Sequence, residues 1–174
     1  MKHQIKKCNS KMLIEFEIFR DLTEDQIENF CQVAQPIFFQ SGDVIIQEGA
    51  PGKSILLLID GKVEISQALT LKTSQVQTDT REKAIIQLSS EYHPFFGEMS
   101  LFSDDDKRTA TVKAVTKCCL GRIGRKEFFE ICNSYPEIGF HVMKNISRVI
   151  CNRLKKANQN VLKLTTAFSL MLES

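Results

Sequence analysis

The spacing of apolar positions changes twice along this chain. Between residues 11 and 34 they recur at helical intervals. Met12, Leu13, Phe16 and Phe19 predict a short helix over 11–19. Ile27, Phe30, Cys31 and Ala34 predict a second over 24–34. Thr23 and Gln26 stand in capping-box register before that second helix, and Pro36 ends it. From 36 to 123 the pattern becomes short β-branched or aromatic runs broken by Gly, Pro, Asp and Ser. These predict strands near 37–40, 43–47, 54–59, 62–67, 84–88, 109–115 and 117–123. Asp60-Gly61 between two apolar runs predicts a hairpin with a type I′ turn. Gly42-Asp43 and Gly49-Ala50-Pro51-Gly52 mark two more turns. The polar, Thr/Gln-rich stretch 68–83 reads as a long, mobile loop. Beyond 124 the helical period returns, with a short helix over 125–132. A long helix over about 136–171 follows, opened by Ser134 as N-cap, Pro136 and Glu137. The expected fold is α+β: a β-roll, or jelly-roll-like barrel, flanked by N-terminal helices and a long C-terminal helix.

That last helix carries a second pattern. Ile150, Leu154, Ala157, Val161, Leu164, Phe168 and Met171 alternate at spacings of four and three, an a/d seam sustained for three heptads. Such a stripe either packs back on its own roll or meets a second helix. The helix is too long for a small domain to cover end to end. A parallel two-helix contact between subunits, hence a homodimer, is the expectation.

Composition changes this picture little. The 174 residues suit one domain: a flexible N-terminus over 1–10, a folded unit over 11–158, and the long helix over 136–174. Net charge is +2 with both signs interspersed, which demands neither nucleic acid nor membrane. The longest apolar run, Ile55 to Ile59, is too short to span a bilayer. No apolar signal segment follows the basic N-terminus, so a cytoplasmic protein is expected. None of the six cysteines forms a C-x-x-C pair, and they read as reduced structural thiols. The three histidines are scattered, and no metal site is expected. Asp104-Asp105-Asp106 reads as a solvated loop tip rather than a cation site.

The candidate chemistry lies in Phe96-Gly97-Glu98-Met99-Ser100-Leu101-Phe102 and, ten residues after the glutamate, Arg108-Thr109-Ala110-Thr111-Val112. Glycine lets backbone N–H groups approach a ligand closely. A helical turn opening at Glu98 aims further N–H groups at an anion. Arg108 offers a planar fork for two phosphate oxygens. Ionised Glu98 only accepts hydrogen bonds, so it suits a sugar hydroxyl. No nucleophile–base pair or phosphate-transfer loop is evident, and an enzyme is not expected.

This segment resembles the phosphate-binding cassette of the cyclic nucleotide-binding domain, F-G-E-x-[AGS]-L followed by R-[ATS]-A-[TS]-V. That domain occurs in catabolite-activator-type regulators and in the regulatory domains of cAMP- and cGMP-dependent kinases. The resemblance extends to Phe39–Ala50 and to Ser54–Val63, and covers about residues 15–158. It implies a cAMP or cGMP sensor that signals through its C-terminal helix to a dimer or an unidentified protein partner, with no cofactor besides the ligand. The implied ligand contacts are Gly97, Glu98, Met99, Ser100, Arg108, Thr109 and Ala110, with Glu98 on the ribose 2′-hydroxyl and Arg108 on the cyclic phosphate. Thr109 leans toward tolerance of cGMP. Asn158 falls where catabolite-activator-type members contact the base from the long helix. The stretch Phe140–Lys144 can line the pocket instead. Lys107 stands where many members carry proline, and Ser89–Phe95 replaces the usual small turn, leaving Tyr92 and Phe95 either stacking or filling the core. Family transcription factors continue into a helix-turn-helix. No second helix pair follows residue 158, so DNA binding is not expected, and Lys144, Arg148, Arg153, Lys155 and Lys156 read as a solvated face. The rival readings are a degenerate fold kept as a dimerisation or interaction scaffold, and a DNA-binding regulator using that basic helix.

Overall fold

The computed structural model describes residues 7–68, 82–103 and 105–172. The expectations for most of the 68–83 loop and for residues 1–6, together with Asp104, lie outside them. The elements run α1 (Ser10–Leu13), α2 (Glu24–Val33), β1 (Gln35–Phe39), β2 (Val44–Ile46), β3 (Ser54–Asp60), β4 (Lys62–Ala68), β5 (Glu82–Ser89), β6 (Phe95–Phe96), α3 (Met99–Phe102), β7 (Thr111–Ala114), β8 (Cys118–Gly124), α4 (Arg125–Ser134) and α5 (Pro136–Leu172). Two four-stranded antiparallel sheets, β1-β8-β3-β6 and β2-β7-β4-β5, form the expected roll.

β3 explains the longest apolar run of the chain. Successive side chains of a strand point to opposite faces. Ile55 and Leu57 join the helix-side core with Phe30, Phe128 and Val142, while Leu56 and Leu58 join the interior of the roll with Ile46, Val63 and Val112. Both faces of the strand are covered, so no polar alternation survives.

Several local expectations are corrected. Asp60-Gly61 does not close a hairpin. β3 pairs with β6 and β8, β4 with β5 and β7, so the dipeptide turns a corner between the sheets. Only Gly61 takes a positive φ, +100°, and a Cβ there would lie 2.4 Å from the Lys117 carbonyl oxygen. The helix expected over 11–19 is α1 plus a separate 3₁₀ turn at Glu17–Phe19. Phe16 between them is extended, which lets Leu13, Phe16, Ile18 and Phe19 all reach the core. The N-terminal segment is not frayed from Cys8 onward: Cys8 is buried in the helix-side core and the Asn9 side chain caps α1. Ser134 ends α4 and does not cap α5. The Thr23–Gln26 capping box is present in both directions.

α5 is 37 residues long, roughly 55 Å. Its buried side chains, Ile138, Val142, Asn145, Ile146 and Val149, all lie in its first half. Asn145 donates to the carbonyls of Ile18 and Arg20, tying the helix to the N-terminal segment. From Ile150 to Leu172 every residue is exposed, so among the described residues the apolar seam is not buried against the roll. Among the described residues no helix is long and apolar enough to cross a membrane, and no group of side chains is arranged to hold a metal ion.

Candidate ligand-binding site

The site is built where β6 gives way to α3. β6 delivers Phe96 and then Gly97, whose φ of +83° turns the chain sharply into Glu98 and α3. On the far side, the 105–108 segment is stitched to the 49–52 turn. Arg108 N–H donates to the Ala50 carbonyl, Gly49 N–H to the Arg108 carbonyl, and Gly52 N–H to the Asp106 carbonyl. Asp106 is therefore not a free loop tip. Its carboxylate pairs with Lys53 at 2.9 Å and with Arg125 at the start of α4. The Lys53 hydrogen bond holds the Asp106 carboxyl below its ordinary range, with the charges of Lys53 and Arg125 adding to it.

Between these two supports lies a cavity of about 170 Å³. Ile46, Ile65, Phe96 and Val112 line its apolar part, and Gly97, Glu98, Met99, Ser100, Arg108, Thr109, Ala110 and Arg153 the remainder. Seven of the eight expected site residues are thus brought together. Asn158 is not: it is exposed on α5, beyond the stretch that touches the roll. Phe140–Lys144 does not line the cavity either, and Lys144 faces Asp21. Thr109 and Ala110 lie before β7 rather than inside the predicted strand, which leaves them at the cavity wall.

Arg108 is held by neutral groups. Its Nη1 donates to the Ser54 carbonyl (3.0 Å), the Gly97 carbonyl (3.1 Å) and Ser100 Oγ (2.7 Å), and its Nη2 to Ser54 Oγ (3.0 Å). Ser100 Oγ donates in turn to the Gly97 carbonyl. Burial lowers the pKa of Arg108 from its ordinary value, and the nearby Arg122 charge lowers it further, against an opposite pull from Glu98. The guanidinium thus sits half-buried without a carboxylate partner among the described residues.

Glu98 is 4% exposed, and its partner comes from α5. Arg153 Nη1 donates to Glu98 Oε1 and Nη2 to the Phe95 carbonyl, with the guanidinium 5.3 Å from the Phe95 ring centroid. Phe95 is buried and Tyr92 is 82% exposed, so the first fills the core and the second faces solvent. Arg153 is the residue that sequence reasoning placed on a solvated face. Its signal was present: it stands four residues after Val149, on the row that continues from Val142 and Ile146. With Arg108 and Arg153 against Glu98, the charged groups of the cavity leave one positive charge over, and an anion fits that balance.

The chain is similar to known proteins in sequence and in fold. The profile of the cyclic nucleotide-binding domain matches residues 36–135. The chain is 28% identical over 137 residues to a cAMP-dependent protein kinase regulatory subunit of Dictyostelium discoideum, covering 76% of this chain and 38% of that protein. It is 33% identical over 132 residues to a cGMP-dependent protein kinase of Drosophila melanogaster, covering 74% of this chain and 13% of that one. The chain thus spans well under half the length of these relatives. In fold it superposes on the crystal structure of a cyclic nucleotide-binding domain from Methylobacillus flagellatus with a TM-score of 0.72, at 18% identity, over 87% of this chain and 79% of that one. The cassette, the roll around it and the match over residues 36–135 make this chain a member of the cyclic nucleotide-binding domain family.

Proposed function

We propose that the chain is a regulatory sensor of a 3′,5′-cyclic nucleotide, cAMP or cGMP. The observation that carries this reading is the pairing, in one cavity, of a buried glutamate and a half-buried arginine that has no carboxylate partner among the described residues. Arg108 is suited to the cyclic phosphate, since a bound anion relieves the cost of its burial. Glu98 is suited to the ribose 2′-hydroxyl, which it accepts as a hydrogen bond. Gly97, Met99, Ser100, Thr109 and Ala110 complete the contact set at the cavity wall. The chemistry is recognition and not turnover, in keeping with a binding domain.

Arg153 supplies a route outward. A ligand hydroxyl on Glu98 meets a carboxylate already engaged by α5, so the occupied cavity favours one placement of that helix over another. The shift is bounded by the difference in ligand affinity between the two placements. The exposed seam from Ile150 to Met171 is suited to a second copy of α5, so the output runs through a homodimer to a downstream protein. Asn158 enters this scheme only through such a pairing.

The test is thermal unfolding with cAMP, cGMP or buffer alone, repeated on Arg108→Ala. Ligand at about 100-fold over its dissociation constant adds roughly 2.7 kcal/mol. For a domain of this size the midpoint rises by roughly 5–10 °C. The rise is expected for at least one nucleotide and is lost in the variant. No rise with either, in protein freed of co-purified nucleotide, overturns the reading in favour of a scaffold.

A further inference from the structure

A second cleft of about 280 Å³ opens where β1, β2, β3 and β8 meet the 50–53 turn. It shares Arg108 with the front cavity but otherwise has a different character. Its cations are Lys53, Arg108 and Arg122, and none of the residues lining it is acidic. Arg122 stands out by position. Along β8, Cys118 and Leu120 face the roll interior, while Ile123 faces the helices. Alternation places Arg122 on the interior-facing row, opposite Leu56 of β3 and Gln35 of β1. The Arg122 side chain is exposed at the cleft rather than filling the core, and it makes no hydrogen bond or ion pair to the described residues.

Arg108 is incompletely used on this side as well. A guanidinium has five N–H donors. Nη1 and Nη2 make the bonds described above, whereas Nε makes none to the described residues. Nε lies against Gly52, a lining residue of the second cleft, so close that a Cβ on Gly52 would stand 1.8 Å from it. The depressed pKa of Arg108 has Arg122 as its second cause, so the two like charges feel each other across this cleft.

We propose that this second cleft is a site for a small oxyanion of the phosphate type, held between Arg122 and the Nε edge of Arg108, with Lys53 at its rim. An anion there relieves the repulsion between two arginines and supplies acceptors for donors the protein leaves open. Lys53 contributes less, because its ammonium is already shared with Asp106. Glu127 is the acid that limits the site: it lines a neighbouring cleft together with Arg122. The inference does not rest on nucleotide binding, since Arg122 and Glu127 do not line the front cavity.

The experiment is titration of the full chain with inorganic phosphate and with pyrophosphate at constant ionic strength, following the arginine Nε–H resonances and the heat of binding. Saturable binding that moves the Arg122 and Arg108 signals is expected. It weakens by about tenfold in Arg122→Gln, as loss of a charge-assisted contact does, and tightens in Glu127→Gln. Because both side chains are exposed, both variants are expected to fold, and each is checked by its own unfolding midpoint. An absent or non-saturable response in the wild type overturns the proposal. So does equal affinity in wild type and Arg122→Gln, which would put the anion in the front cavity. The thermal response of Arg122→Gln to cAMP and cGMP reports separately on the nucleotide reading.

Discussion

Arg153 Nη1 lies 2.6 Å from Glu98 Oε1, so a side chain from the long helix neutralises the one buried carboxylate of the cassette. The two residues are 55 apart in sequence. Removing the arginine leaves Glu98 buried and charged without its partner. Arg153→Gln is expected to lower stability by about 1–2 kcal/mol, moderated by the partial exposure of the arginine, and to loosen α5. Thermal unfolding and amide exchange along 149–157 check this. Unchanged exchange there would mean that the ion pair does not hold the helix to the roll.

Gly52 governs the shape of the cassette from outside it. Its φ lies outside the positive range, so alanine is conformationally allowed, yet the added Cβ would stand 1.8 Å from Arg108 Nε and 2.4 Å from its Cζ. The flexible arginine must move, and its four bonds to Ser54, Gly97 and Ser100 go with it. Gly52→Ala is expected to keep the fold and to weaken nucleotide binding by at least about tenfold, read by calorimetry. Binding equal to wild type would show that the observed placement of Arg108 is not the one the ligand uses.

Asp106 makes a prediction in acid. Its carboxyl titrates below the ordinary value of 3.8 in the folded chain, chiefly through the Lys53 hydrogen bond. A lowered folded pKa means that the stabilisation is complete above the unfolded value and is lost as pH falls through the folded one. The gap in unfolding midpoint between wild type and Asp106→Asn is therefore expected to be constant near neutrality and to narrow below about pH 3.8. A gap that stays constant into acid would remove the Lys53–Asp106–Arg125 link from the account.

The exposed seam predicts self-association. Leu154 and Val161 are each 58% exposed, and Phe168 and Met171 64% and 75%. In ultracentrifugation the wild type is expected to sediment as a dimer and Leu154→Asp combined with Val161→Asp as a monomer. Identical sedimentation of the two proteins would reject the seam as the contact.

The parts of the molecule legible in its sequence were those encoded within a few residues. The Thr23–Gln26 cap, the strand runs, and the glycine, glutamate and arginine of the cassette each carry their reason locally. What was misread depends on distant neighbours. Asp60-Gly61 has the composition of a hairpin, but which sheet each flanking strand joins is decided by β6, β7 and β8. Asp106 reads as one of three solvated acids until the fold brings Lys53 and Arg125 beside it. Arg153 reads as one basic residue among several because its role requires knowing how far the buried row of α5 extends. Cys8 looks like part of a polar tail, and only the packing of α2 and β8 explains its burial.

The length of α5 gives the cavity mechanical reach. From Arg153, where the helix last grips the roll, to Leu172 the axis runs for roughly 28 Å. A rigid rod pivoting at the arginine carries its tip about half an ångström sideways for each degree of tilt. A tilt of a few degrees at Glu98 would thereby move the far end by about 1.5 Å, roughly the length of a carbon–carbon bond.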